Sequence, residues 1–155
     1  MGLLPILLSL VEPMAKDFFH QAVRTALEKD GWTITHDPYP LRLMGIGGEI
    51  DLGAERILAA EKDTASGSVQ KIAVEVKSFL SPSFMYDFHV AIGQYTNYRV
   101  WLERKEADRT LYLAVPAGVY ETHFQVQGIE FVCQSVNVQI VVFNETEHLI
   151  ESWKS

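Results

Sequence analysis

Cysteine is almost missing from this chain: Cys133 is the single copy among 155 residues. It cannot pair internally and has no companions at zinc-ligand spacing, which excludes a disulfide scaffold and structural zinc and predicts a reducing cytoplasm. Positive charge is also short. Thirteen Lys and Arg against twenty Asp and Glu leave a formal charge of -7, which argues against a protein that coats nucleic acid nonspecifically, since phosphate neutralisation needs clustered cations. A local basic groove remains compatible with that balance. Long apolar runs are lacking too. "GLLPILLSLV" is apolar for about ten residues, half of the roughly 20 a membrane span needs. Pro5 interrupts it, and it has neither a positive n-region nor a small-residue cleavage site, so neither membrane insertion nor secretion is expected.

What is present suffices for one domain with a core of its own. Residues 1–13 read as an upstream extension and 14–155 as the domain, because a helix-like pattern opens at Met14; an arm docked on the core is the alternative. From Ala15 to Lys29, apolar residues at Phe18, Phe19, Ala22, Val23, Ala26 and Leu27 recur at helical spacing and stop at Asp30-Gly31. "GWTITHDPYPLRLM" predicts a strand broken at Asp37-Pro38, and Gly45, Gly47 and Gly48 a flexible link into the extended "EIDLGAERILAAEK". The polar "DTASGSVQ" has hairpin-loop composition and leads to "KIAVEVKSF", a strand antiparallel to its predecessor.

"SPS" then starts a helix, with Pro82 in the first turn and a stripe of Phe84, Phe88, Ala91, Tyr95, Tyr98 and Leu102. "TLYLAV" is a strand ending at Pro116, a helix is expected near 117–124, and 128–137 has no clean period. "VQIVVF" and "LIESW" make a final strand pair around "NETEH". The order α-β-β-β-α-β plus a smaller α-β-β tail predicts an α/β (α+β) fold with a mixed central sheet and helices on its faces. Because "GIGGEID" enters a strand rather than a helix, dinucleotide binding is disfavoured.

The chemistry centres on "KIAVEVKSF". Ile72, Val74 and Val76 alternate with Ala73, Glu75 and Lys77, so a carboxylate and an ammonium share one sheet face. Asp51, one strand earlier, supplies a second carboxylate. Two such groups, with a carbonyl such as that of Val76, suit a hard cation, Mg²⁺ or Mn²⁺. The metal would polarise a phosphodiester while Lys77 steadies the charge on phosphorus. Opposite charges on a wet sheet face need no function. The second helix adds to the case, because Gln94 and Tyr98 stand four apart on one flank. His20, Arg24 and Glu28 share a face of the first helix and read as solvated, as does "ERKE" at 103–106. His36 and Asp37 read as a turn before Pro38, and Asp87 and His89 as first-turn groups of the second helix.

"D…EVK" followed by "GQYTNY" resembles the PD-(D/E)XK nuclease superfamily, whose restriction-endonuclease-like core has this α-β-β-β-α-β order. More closely, "MAKDFFHQAVRTALEKDGWTITHDP", "DLGAERILAAEK", "KIAVEVKSF", "GQYTNYR" and "LYLAVP" in that order resemble the XisH family, the cyanobacterial fdxN element excision controlling factor, from about Met14 to Trp153. That resemblance implies programmed excision of a DNA element beside a site-specific recombinase and an XisI-type companion. The nuclease pattern implies metal carboxylates at Asp51 and Glu75, a catalytic lysine at Lys77, and the helix-borne pair Gln94 and Tyr98. The 24-residue interval from Asp51 to Glu75 is wide. A different register would put Glu55 or Glu61 in the first carboxylate's place, and Ile50 stands where the superfamily often has proline. Homodimerisation is compatible with two-strand chemistry.

Overall fold

The computed structural model describes residues 3–58 and 68–155, with side chains from Met14 onward in the first helix. That helix, α1 (Leu3–Lys29), runs unbroken through Pro5 and Pro13, so residues 3–13 continue the helix that the domain uses. Phe19, Ala22, Val23, Ala26 and Leu27 are buried, the i, i+3, i+4 face that docks on a sheet. Its stop uses Gly31 at φ +92°, where a side chain would be strained. The Gly31 and Trp32 N–H groups close back on Glu28 and Leu27 carbonyls.

The chain then builds β1 (Thr33–His36), β2 (Tyr39–Leu43), β3 (Ile46–Ile50), β4 (Leu52–Ile57), β5 (Val69–Val76), α2 (Phe84–Lys105) and β6 (Arg109–Pro116). A short helical run, α3 (Ala117–Val119), passes into a π-helical turn, Tyr120–Phe124, before α4 (Gln127–Ser135), β7 (Ile140–Asn144) and β8 (Leu149–Lys154). Six strands form one mixed sheet in the order β1-β4-β5-β6-β7-β8. β5, β6 and β7 run parallel to their neighbours among themselves, and the outer pairings are antiparallel.

The mixed sheet with helices on both faces agrees with the expected fold class and the expected break at Asp37-Pro38 is present, but the extended stretch expected from Glu49 is itself divided at Asp51. The break at Asp37-Pro38 sends the chain out of the main sheet into a separate two-stranded hairpin, β2-β3. The chain returns between Ile50 and Asp51. The expected flexible link is therefore a tight turn at Met44-Gly45 leading into β3, which holds Gly47 and Gly48 in register with Arg42 and Leu41. Residues 128–137, without a clear period in the sequence, lie largely within α4. Pro82 precedes α2 instead of entering its first turn; Ser83 is the N-cap, and its Oγ accepts the Tyr86 N–H.

Two apolar layers flank the sheet. Leu52, Ala54, Ile72, Val74, Ala114, Val141 and Phe143 pack under α1, and Ala73, Leu111, Leu113, Val115, Ile140 and Val142 pack under α2. The period-two alternation within β5 and β6 sorts these residues. It also assigns the face of Glu75 and Lys77, which follow Ala73 at strand spacing and so point to the α2 side.

Candidate active site

Asp51 lies where the hairpin rejoins the sheet, one residue before β4. The β4-β5 ladder pairs Leu52 with Val74 and ends at Ile57 with Val69, so Asp51 stands opposite the end of β5. The interval from Asp51 to Glu75 is thus spanned by two paired strands and the residues between them. Two bonds lock the junction: the Val76 N–H donates to Asp51 Oδ2 at 2.8 Å and the Asp51 N–H donates to Glu75 Oε1 at 3.3 Å. Lys77 Nζ lies 3.5 Å from Glu75 Oε2.

Glu75 is only 5% exposed, so the expected sheet face is covered rather than wet. Burial first, then the neighbouring Asp51 carboxylate, pushes its carboxyl up to about 8, and Lys77 offsets this only in part. Tyr98, half-buried on α2, has its phenol pushed up by burial and by the Glu75, Asp51 and Glu49 carboxylates. Tyr98 packs against the α2-side core, the face to which Glu75 points. One turn earlier, Gln94 Oε1 is buried with no hydrogen-bond partner, an acceptor left open.

The alternative first carboxylates fare differently. Glu55 is four residues along β4 from Asp51, about 13 Å at strand rise, and its Oε1 is bound by Arg109 at 3.2 Å. It belongs to the opposite end of the hairpin and cannot join Glu75. Glu61 lies outside the described residues.

The sequence matches the XisH protein family model over residues 14–151. The chain belongs to the XisH family. Two crystal structures are similar to it at 39% identity: an XisH family protein from Nostoc punctiforme, with a TM-score of 0.78 over 89% of this chain and 99% of that one, and a fdxN element excision controlling factor protein from Anabaena variabilis, with a TM-score of 0.77 over 90% and 99%. No curated protein matches.

In this XisH chain the donor set fits a hard divalent cation. Two oxygen-donor carboxylates meet at the end of β5, the Val76 N–H donating to the first and the Asp51 N–H to the second, and Lys77 Nζ is the cation 3.5 Å from the second. Among the described residues no group of three or more His, Cys, Asp or Glu converges as a ready cage. Waters or substrate oxygens would therefore complete the shell, as is usual for Mg²⁺.

Two readings of charged residues need correction. His20 and Arg24 are not a free solvated face: His20 Nε2 meets Asp37 Oδ1 at 2.8 Å and Arg24 holds Asp37 Oδ2, fastening α1 to the turn before Pro38. Nor is Glu106 in "ERKE" idle at a helix end. It accepts from Arg109 Nε at 2.7 Å and from the Tyr39 hydroxyl at 2.7 Å. The spacing Glu106-x-x-Arg109 carried that signal in the sequence. Asp87, as expected of a first-turn acid, accepts the Ser81 N–H at 2.9 Å.

Proposed function

We propose that this XisH protein is a metal-dependent endonuclease-like factor of the PD-(D/E)XK type, acting on DNA phosphodiesters during excision of a DNA element. One observation carries the reading: a buried carboxyl at Glu75, beside Asp51 and Lys77, sits at the carboxyl end of β5 with too little positive charge around it. A site built only for stability would pair that group fully or omit it. Bound at Asp51, Glu75 and the Val76 carbonyl, Mg²⁺ or Mn²⁺ would supply Lewis-acid polarisation of the phosphodiester. Lys77 steadies negative charge developing on the phosphoryl oxygens. Tyr98 stands on the α2 side of the carboxylates, and Gln94, one turn earlier on the same helix, keeps a buried acceptor without a partner.

The test is cleavage of branched, single-stranded and duplex DNA in Mg²⁺ or Mn²⁺, by the protein alone and with an XisI-type companion. Glu75→Ala and Lys77→Ala should each lose about 10²-fold or more while keeping the wild-type circular dichroism. Failure of the folded wild type to cut under every condition would overturn the enzyme reading.

A second reading, a noncatalytic accessory factor, rests on a different feature. The net charge is -7, and an apolar groove of about 740 Å³ runs between α2 and α4, lined by Phe84, Met85, Phe88, Ile92, Val126 and Ile129. Such a surface suits a protein partner, whether an XisI-type companion, a recombinase or a second copy. Retained partner binding in an inactive but folded protein would favour this reading. Among the described residues no helix is long and apolar enough to cross a membrane.

A further inference from the structure

We infer that α1 lends a second binding wall to nucleic acid held at Asp51 and Glu75, with Lys16 contacting a backbone phosphate beside Asp51 and His20 held in place next to it. The inference rests on the nuclease reading of the same site and extends it to the opposite face of the sheet. Glu75 and Tyr98 approach from the α2 side, but Asp51 and Val76 also border a small cavity of about 30 Å³ on the α1 side, closed by Lys16, Phe19, His20 and Ser78. That volume admits an ordered water but no side chain or phosphate. The phosphate must therefore lie at its mouth, where exposed Lys16 can reach it.

Two further features give this wall a definite geometry. Asp37 is acceptor-only when ionised, so His20 Nε2 donates to it and the ring is fixed in orientation. Arg24 holds the second Asp37 oxygen, so the imidazole is braced through the β1-β2 turn. Lys16 and Lys77 then bracket the carboxylates from opposite faces, in a protein otherwise rich in negative charge. A strand threaded between them would meet cations on both sides of the metal-binding pair.

The experiment measures binding of a fluorescein-labelled branched DNA by anisotropy across a salt series, with Ca²⁺ in place of Mg²⁺ to hold turnover off. Wild type is compared with Lys16→Ala, Lys16→Arg, His20→Asn and, as a control for lost surface charge, Arg104→Ala at the exposed end of α2. Lys16→Ala should weaken binding roughly 5- to 10-fold and lower the salt slope by about one, Lys16→Arg should restore both, and Arg104→Ala should match wild type. In parallel cleavage assays Lys16→Ala should raise KM more than it lowers kcat. If Lys16→Ala binds like Arg104→Ala while Glu75→Ala still abolishes cleavage, the α1 wall is wrong and the nuclease reading stands. If wild type neither binds nor cuts DNA, both fall.

Discussion

The two ends of the β4-β5 hairpin each bury charge, and they do so in opposite ways. At the far end Arg109 is buried and its hydrogen bonds all go to acceptors: Glu106 at 2.7 and 3.3 Å, Glu55 at 3.2 Å, and the Ile72 and Ala54 carbonyls at 2.8 and 3.4 Å. The Tyr39 ring lies 4.9 Å beneath the guanidinium. Hydrogen bonds from Arg109 above all hold the Glu106 carboxyl down to about 2. At the near end, Glu75 is pushed up to about 8 with Asp51 against it and a single lysine at 3.5 Å. At one end a buried guanidinium is ringed by acceptors; at the other a buried carboxyl has a second carboxylate and one lysine beside it. Local frustration of this kind is what a binding site looks like when the rest of a sequence is self-consistent.

Removing the satisfied charge should do the most damage. Arg109→Ala strands Glu106 and Glu55 beside a phenol and leaves the Ile72 carbonyl without this donor, so unfolding in urea should show a loss of about 3–5 kcal/mol. An unchanged midpoint would show that this network is ornamental and that burying charge is unremarkable at both ends.

Adding what the near end lacks should have the next largest effect. At pH 8, Mn²⁺ at a hundredfold over its Kd should stabilise wild type by about 2.7 kcal/mol, and Glu75→Gln should erase the gain. A Glu75→Gln protein that is still stabilised by Mn²⁺ would move the metal site elsewhere.

The two carboxyls also predict opposite pH slopes. Glu75 rises on folding from 4.5 to about 8, so the folded state holds the extra proton in that window. Its contribution is fully present below about 4.5 and is lost as pH climbs through 8. Glu106 falls on folding from 4.5 to about 2, so its contribution is present above about 4.5 and is lost as pH drops through 2. Metal-free wild type should therefore lose stability between pH 5 and 8, on the order of a few kcal/mol at most. Glu75→Gln should flatten that limb and leave the acid limb intact. A flat wild-type profile above pH 5 would mean Glu75 is ionised at no cost.

Much of this contrast was legible in residue order. The alternation in "KIAVEVKSF" assigned Glu75 and Lys77 to one face, and the spacing of Gln94 and Tyr98 put them on one flank of a helix, because both patterns depend only on local geometry. Asp51 was read as a partner of Glu75, yet its position at the mouth of an inserted hairpin was hidden, since Gly45, Gly47 and Gly48 read as a flexible link and not as the turn and second strand of a hairpin. Long-range pairs were the blind spot. Asp37 with His20 and Arg24, or Glu55 with Arg109, are 17, 13 and 54 residues apart, and no periodicity announces a contact that only the assembled sheet creates.

The smallest expected effect sharpens the difference between buried and exposed charge at the same end of the hairpin. Lys71 neighbours the Arg109 network, with its Nζ 3.2 Å from Asp108 and 3.5 Å from Glu106, and Asp108 raises its pKa. Those contacts resemble the ones Arg109 makes, but they are open to water: salt screens the pair, and Glu106 keeps Arg109 and Tyr39 when Lys71 is lost. Lys71→Ala should leave the urea midpoint unchanged within error at physiological salt. A loss comparable to that of Arg109→Ala would mean that the whole end acts as one cooperative network rather than as a single buried guanidinium with its acceptors.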